Sequence, residues 1–240
     1  FDTLHDPYVG ESAFADHQIG RLLQALDAHA LTGRTIVVVV GDHGEARGDH
    51  GERDHGIFLY QSVLRVPFIL RAPGIPAGRN ADVVRLVDVM PTVLDLLGVP
   101  APPADGATLA GALHGHARTA EREVYAESLS PRHLGWSPLF ALRSGRYKLI
   151  DAPRPELYDL EADPFEARNI YQQRRGVARA MTDRLSRMRA VERTESAVRG
   201  AAVSPELRRR LGALGYASGT PDASAPVPEG LPDAKDCIGA

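Results

Sequence analysis

The first forty residues show a helical pattern followed by a strand pattern. Between Glu11 and Ala30, apolar residues recur every three or four positions, which is the period of a helix with one buried stripe. The stripe consists of Phe14, Ala15, Ile19, Leu22, Leu23 and Leu26. Thr35–Val40 is β-branched throughout and apolar on both faces, which is typical of a central strand in a sheet covered on both sides. A helix followed by a buried strand favours an α/β fold.

The next patterns predict a second strand and a second helix. Val66–Leu70 has strand character, and Pro67 lies near its start, where proline removes no central ladder hydrogen bond. We predict that Asp88 is the N-cap of a helix with Pro91 in its first turn. These elements together predict an α/β domain over residues 1–115.

A Pro-, Ala-, Asp- and Gly-rich stretch at residues 100–106 predicts a loop, after which a smaller unit begins. Residues 140–150 carry a hairpin pattern, and Glu156–Leu160 predicts an edge strand. An arginine-rich amphipathic helix follows, marked by apolar residues from Val177 to Val191 and predicted to end near Gly200. Residues 116–200 therefore predict a small α+β subdomain with an antiparallel sheet.

The last segment, residues 201–240, is predicted to hold a short helix and a flexible linker. The helix would begin at Ser204. Ala217–Pro232 is rich in Ala, Ser, Pro and Gly, so it has too little apolar surface to offset its ordering entropy.

Composition and charge exclude several classes of protein. The net charge is −3, so no basic excess favours nucleic acid as a partner. The longest strongly apolar run, Ile36–Val40, is far shorter than the roughly 20 residues that a membrane-spanning helix needs, so no span is predicted. Cys237 is the only cysteine, which excludes an intrachain disulfide and a cysteine cluster for zinc.

The densest candidate chemistry directly follows the predicted strand Thr35–Val40. The run Gly41-Asp42-His43-Gly44-Glu45 stands at the carboxyl end of that strand, where α/β sheets bind ligands. With glycine on either side, Asp42 and His43 can converge on one divalent cation, from Ca²⁺ or Mg²⁺ through Mn²⁺ to Zn²⁺. The alternative is an Asx-type turn in which His43 is incidental.

A second polar run, residues 49–56, is dense in histidine and carboxylate. We expect Asp49, His50 and Asp54 each to be a solvent-exposed residue of a loop. His55 precedes a glycine and an apolar stretch, so we predict that it faces the site, where an imidazole can donate a proton near neutral pH.

In order and spacing, these segments resemble the sulfatase family of the alkaline-phosphatase superfamily. The resemblance is carried by Tyr8–Asp16, Ile19-Gly20, Thr35–Glu45, His55-Gly56, Leu64–Phe68 and Val87–Thr92, and it continues to Asn169 through Leu157–Leu160, Asp163-Pro164 and Glu166. It implies an alkaline-phosphatase-like α/β fold, with a mixed or parallel sheet covered by helices. It also implies the activity of a sulfuric ester hydrolase.

The resemblance implies a specific site. A single divalent cation, commonly calcium, would be held by two aspartates of an earlier strand and by Asp42 and His43. The nucleophile would be a formylglycine made from cysteine or serine, and His55 would contact the sulfate or assist the leaving oxygen. The Cys/Ser-x-Pro/Ala-x-Arg motif and the aspartate pair are absent from residues 1–240, so we expect the nucleophile outside this chain and no activity from this segment alone.

The number of metal ions is indicated by one further position. Two-metal phosphatases and phosphodiesterases of the superfamily place an aspartate and a histidine four residues apart on the corresponding helix. Here Asp16 is followed by Gly20, which favours the one-metal sulfatases or their phosphonate monoester hydrolase relatives. We expect Asp16 to be a helix-surface carboxylate.

The implied substrate is a sulfate ester of a carbohydrate or an aryl alcohol. Two alternatives stay open: a phosphate or phosphonate monoester hydrolase, and a non-catalytic, partner-binding remnant of the fold.

The C-terminal segment resembles one that precedes tetratricopeptide repeats in some bacterial sulfatases, which implies protein partners. The resemblance is carried by Glu206–Tyr216 and Leu231–Asp236. The alternative is a terminal arginine-rich helix with a disordered tail. The resemblance implies a periplasmic or extracellular location, with a signal peptide outside this segment.

Overall fold

The computed structural model of this chain describes residues 6–115, 122–199, 206, 209, 210, 228 and 230–238. The chain divides into two compact units. The first holds residues 1–40 and 67–119, and the second holds residues 41–66 and 120–240. The polar segment that follows the first predicted strand therefore belongs to the same unit as the C-terminal half of the chain, a grouping that local patterns do not indicate.

The first unit begins with a long helix, as the apolar period predicts. Helix α1 spans Pro7–Ala28, and the Asp6 carboxylate caps it by accepting the Tyr8 N–H at 3.0 Å. The predicted burial of its apolar stripe is wrong, because no residue of α1 is buried and Phe14 and Leu22 are 52% and 68% exposed. An open apolar cleft of about 700 Å³ lies along this stripe.

The two strands of the first unit form an antiparallel pair. Strand β1 (Val37–Val40) lies beside β2 (Phe68–Arg71), with Val38 opposite Leu70. The predicted parallel or mixed sheet is wrong for the described residues, whose two sheets are both antiparallel. Val40 is 38% exposed, so β1 is not covered on both faces. β-Branched residues favour a strand, but burial depends on which elements pack against it.

The helix predicted after Asp88 is confirmed as α3 (Val89–Leu96), with Asp88 at the N-cap position, but the Asp88 side chain makes no capping hydrogen bond to it. The Asp88 side chain is fully buried and turns back to Arg85. Its carboxylate accepts the backbone N–H of Arg85 at 3.0 Å and the guanidinium at 2.9 Å. It also accepts the Ala107 N–H at 2.9 Å, and so ties the start of α3 to the loop before the short helix α4 (Ala110–Leu113).

The second unit is built on a four-stranded antiparallel sheet. The strands, in spatial and chain order, are β3 (Val124–Ser128), β4 (Leu139–Ser144), β5 (Tyr147–Asp151) and β6 (Glu156–Asp159). The predicted hairpin and edge strand are thus confirmed. Helix α5 (Arg175–Arg199) follows, as its amphipathic pattern predicts, and packs Ala178, Met181 and Leu185 against one face of the sheet.

The other face of the sheet is covered by the apolar residues that follow the polar run 49–56. Phe58, Leu59 and Tyr60 pack against Leu139, Ile150 and Tyr158. The short helix α2 (Gln61–Leu64) follows directly. The residues before Phe58 are therefore held next to this sheet.

The C-terminal residues pack on the same unit. Helix α6 (Ala234–Cys237) is capped by the Asp233 carboxylate, which accepts N–H groups of Lys235 and Arg154, each at 2.9 Å. Ala234 is 1% exposed. Asp233–Cys237 directly follow the linker predicted over Ala217–Pro232, and Asp233 supplies both a cap for α6 and a contact to the sheet unit. The predicted helix start at Ser204 and most of the predicted linker lie outside the described residues.

A bilayer crossing needs a helix that is both long and strongly apolar. Within the ranges that the structure describes, none of the helices meets both conditions.

Candidate metal and catalytic site

A glycine with no room for a side chain shapes the turn that carries the predicted ligands. The Gly44 N–H donates to the Val63 carbonyl at 2.7 Å. A Cβ on Gly44 would lie only 2.3 Å from the Ser62 carbonyl oxygen. Glycine is therefore required between His43 and Glu45, and the close approach of the backbone to α2 sets the direction of both side chains.

Asp42 and His43, the predicted metal ligands, lie close together. Asp42 Oδ1 is 3.9 Å from His43 Nε2 and accepts the backbone N–H of His43 at 3.0 Å. This backbone hydrogen bond, a further one from the N–H of Asp42 itself and the neighbouring imidazole lower the pKa of the Asp42 carboxyl. The side chain is 90% exposed, so an ionised oxygen is accessible to a cation.

The His43 ring is oriented in the way that metal-binding histidines usually are. Its Nδ1 lies 3.0 Å from the Gly44 carbonyl oxygen. A histidine ligand commonly donates one ring N–H to a backbone carbonyl, which fixes the tautomer and leaves the other nitrogen free to bind. In His43 that other nitrogen is Nε2, the atom nearest to Asp42.

The structure places His55 beside His43. The His55 ring stacks on the His43 ring, with centroids 3.9 Å apart and an interplanar angle of 28°. Its Nδ1 lies 2.8 Å from Glu45 Oε1. Glu45 was not among the predicted site residues, although its position two residues after His43, in the same polar run, is a signal that could have suggested it.

The donor atoms present here fit a divalent cation. One ligand atom each of His43, Glu45 and His55 lies within 4.8 Å of the other two. Ligands of one ion at bond lengths of about 2.0–2.5 Å are at most about 5 Å apart, so this spacing is compatible with a shared ion. The 3.9 Å between Asp42 and His43 meets the same condition. Mixed oxygen and nitrogen donors are compatible with several metals.

The other predicted residues of the polar run behave differently. Asp54 is exposed, as expected for a solvated loop. The same prediction is wrong for His50, whose ring stacks on Tyr60 at 3.5 Å and whose Nε2 lies 3.1 Å from the Glu166 carbonyl oxygen. His50 is therefore a packing residue that joins this loop to the sheet unit, with Asp49 beside it at 3.1 Å.

Asp16 and Gly20, the two helix positions from which one metal ion was predicted, lie on α1 in the first unit. Asp16 is exposed on α1, as expected for a helix-surface carboxylate. Gly20 has open space where a side chain would stand.

Comparison with known proteins agrees with the resemblance. Residues 3–99 match the family model described as Sulfatase. The chain is 32% identical to the choline-sulfatase of Rhizobium meliloti (strain 1021) over 177 residues, which are 70% of this chain and 33% of that protein. It is 34% identical to the N-acetylglucosamine-6-O-sulfatase of Bacteroides thetaiotaomicron over 181 residues, covering 68% of this chain and 31% of that protein.

Solved structures share the fold. A 2-O GAG sulfatase superposes with a TM-score of 0.63 and 27% identity, over 79% of this chain and 43% of that one. The phosphonate monoester hydrolase of Agrobacterium radiobacter superposes with a TM-score of 0.58 and 30% identity, over 74% and 39%. The predicted alkaline-phosphatase-like α/β class is thereby confirmed. The chain spans about a third of the length of the curated relatives it matches.

Proposed function

Because this chain belongs to the sulfatase family, we propose that it supplies part of the active site of a sulfuric ester hydrolase. The observation that carries the proposal is the position of His43, which lies 3.9 Å from Asp42 and stacks on His55. The family resemblance depends on these three residues. The ligand atoms of His43, Glu45 and His55 lie within 4.8 Å of one another. Relatives named as sulfatases at 32% and 34% identity support it.

In this proposal Asp42 and His43 hold one divalent cation. Calcium is the ion that the resemblance favours, with Mg²⁺, Mn²⁺ and Zn²⁺ as alternatives. When bound, the cation supplies positive charge that offsets the charge on the sulfate oxygens. The chain's own contribution is to keep Asp42 ionised through the His43 N–H and to direct His43 Nε2 outward through the contact of Nδ1 with the Gly44 carbonyl.

His55 is the proposed proton donor. In its protonated form His55 carries a proton on both ring nitrogens. The Glu45 carboxylate accepts the Nδ1–H, which orients the ring, and the Nε2–H is the proton that can be donated. As the sulfur–oxygen bond to the alcohol breaks, that proton goes to the departing oxygen, which leaves as a neutral hydroxyl. A buildup of negative charge on the leaving group is thereby avoided.

The proposed nucleophile is a formylglycine from outside residues 1–240, which contain no Cys/Ser-x-Pro/Ala-x-Arg motif. Formylglycine supplies the oxygen that attacks sulfur.

The proposed substrate is a sulfated carbohydrate. Two proteins similar to this chain are named for such chemistry, one as an N-acetylglucosamine-6-O-sulfatase and one as a 2-O GAG sulfatase. An aryl sulfate is the alternative within the same reaction class. A periplasmic or extracellular location and protein partners bound through helical repeats belong to the same proposal and depend on the family resemblance alone.

A phosphonate or phosphate monoester hydrolase is the second candidate function. The phosphonate monoester hydrolase of Agrobacterium radiobacter, at 30% identity, favours it. A carboxylate and an imidazole that bind a cation do not distinguish the two tetrahedral oxyanions, so the site alone fits either ester.

The test uses the whole protein, with metal affinity measured by titration calorimetry and hydrolysis measured on N-acetylglucosamine-6-sulfate, an aryl sulfate and a phenyl phosphonate ester. We expect Asp42→Ala to abolish both metal binding and hydrolysis. His55→Ala should lower kcat about 100-fold or more, the usual contribution of a general acid, while metal affinity stays close to wild type. Asp54→Ala, an exposed change in the same loop, is the control.

Three outcomes would contradict the proposal. Equal loss of metal binding and hydrolysis in His55→Ala would make His55 a ligand rather than a proton donor. Faster turnover of the phosphonate ester would favour the second candidate. Unchanged metal affinity in Asp42→Ala would remove the carboxylate from the site.

A further inference from the structure

We propose that Ser128 and Glu52 position His55 by fixing the backbone of the three residues that follow it. The inference deepens the proposed function, since it depends on His55 taking part in the reaction. It also gives the C-terminal sheet a role in the site, because Ser128 is the last residue of β3 and lies 72 positions from its partner in the loop.

The first anchor is a hydrogen bond from the sheet. The Ser128 hydroxyl donates to the Gly56 carbonyl oxygen at 2.6 Å, and Ser128 itself is only 7% exposed. Gly56 directly follows His55 and has a left-handed backbone, with φ of 100°. An L-residue rarely adopts that conformation, so the chain direction after His55 depends on the glycine and on what holds its carbonyl.

The second anchor is a buried carboxylate. Glu52 is 3% exposed, and its two oxygens accept the Ile57 N–H at 2.7 Å and the Phe58 N–H at 3.1 Å. Burial raises the pKa of the Glu52 carboxyl, and these two N–H groups oppose that effect by stabilising the charged form. Phe58 is 1% exposed in the core beside the sheet. The backbone on the far side of Gly56 is therefore also held.

These anchors matter because the imidazole itself is weakly held. The His55 side chain is 42% exposed, and its contacts are the Glu45 carboxylate and the stacked His43 ring. The position of its Nε2 therefore depends on where the backbone places its Cα. Misplacing a catalytic group by about 1 Å can cost on the order of 100-fold in rate. An exposed side chain that acts as a general acid therefore needs a backbone that is fixed by other contacts.

The test measures kcat and KM of the whole protein for its best sulfate ester, with Ser128→Ala made both in the wild type and in His55→Ala. We expect Ser128→Ala to lower kcat roughly 10-fold to 100-fold in the wild type, with KM nearly unchanged. In the His55→Ala background it should cause no further loss, because the group that it positions is gone. Ser130→Ala is the matched control: its exposed hydroxyl makes neither of these two anchoring contacts.

Glu52→Gln is the second variant, since it keeps the shape and one acceptor oxygen but removes the charge. We expect a smaller drop in kcat that also disappears in the His55→Ala background. A thermal melt of each variant shows whether it is folded.

Two results would overturn the inference. If Ser128→Ala lowers kcat equally in both backgrounds, it acts through general stability and not through His55. If it leaves kcat unchanged, the hydrogen bond does not position the ring. The proposed function fails in a different way, when His55→Ala alone leaves kcat at the wild-type value.

Discussion

Lys148 Nζ lies 2.6 Å from Glu166 Oε1, and each of these side chains is only 1% exposed. Lys148 stands on β5, and Glu166 follows β6 in the chain. The second Glu166 oxygen accepts the Gln61 N–H at 2.5 Å, and its backbone carbonyl meets His50. The ion pair therefore joins the sheet to both ends of the segment that carries His55. Burial lowers the pKa of Lys148, and the negative charge of Glu166 opposes that shift.

Breaking this ion pair is expected to destabilise the protein strongly. Lys148→Met leaves the Glu166 carboxylate buried without its counter-charge, and such changes typically cost about 3–5 kcal/mol of unfolding free energy. Adding Glu166→Gln, which keeps an acceptor for Gln61, should restore part of the loss. Urea unfolding of the two variants measures both values. A double variant less stable than Lys148→Met would contradict this account.

Gly44→Ala is expected to damage both stability and the metal site. The added Cβ would lie 2.3 Å from the Ser62 carbonyl oxygen, so the backbone must move, at a typical cost of about 1–3 kcal/mol. Since His43 and Glu45 flank this position, calorimetry should show weaker metal binding as well.

The matched control for Gly44→Ala is Gly176→Ala in α5. Apart from its chain neighbours and the nearby backbone of α5 itself, no atom lies within 4 Å of the Cβ that this change would add. It is expected to be neutral or to stabilise by up to about 1 kcal/mol, because alanine favours a helix more than glycine does. A neutral Gly44→Ala would mean that the turn tolerates a side chain.

The buried Asp88 carboxylate is expected to make the stability of the folded protein sensitive to acid. Burial alone would raise the pKa of the Asp88 carboxyl, but the hydrogen bonds from Arg85 and Ala107 outweigh it and hold the pKa below its ordinary value. Because the folded-state pKa is lower than the unfolded one, the stabilisation is present above about pH 4, the usual value for aspartate, and is lost as the pH falls through the folded-state pKa.

Asp88→Asn measures that contribution. We expect the variant to be less stable than the wild type at pH 6, by about 1.5–3 kcal/mol for the loss of charged hydrogen bonds, and the difference to shrink near pH 3. Urea unfolding at the two pH values gives the comparison. Asp16→Asn, at an exposed position on α1, is the control and should change the unfolding free energy by no more than about 0.5 kcal/mol. A constant difference for Asp88→Asn would exclude the linkage.

The sequence by itself determined the elements whose patterns are local. The apolar period over α1 and α5 and the hairpin of β4 and β5 depend on residues a few positions apart, and each was predictable. Asp42 and His43 were predictable as a pair for the same reason, because they are neighbours beside a glycine that sets the turn.

Only the tertiary structure decided which groups meet across long stretches of chain. His50 touches Glu166 from 116 positions away, and Ser128 reaches Gly56 from 72. No periodic pattern encodes such contacts, since they follow from how the loop packs on the sheet. The exposure of the α1 stripe and of Val40 is of the same kind: an apolar pattern shows that a face can be buried, but its burial depends on what packs against it.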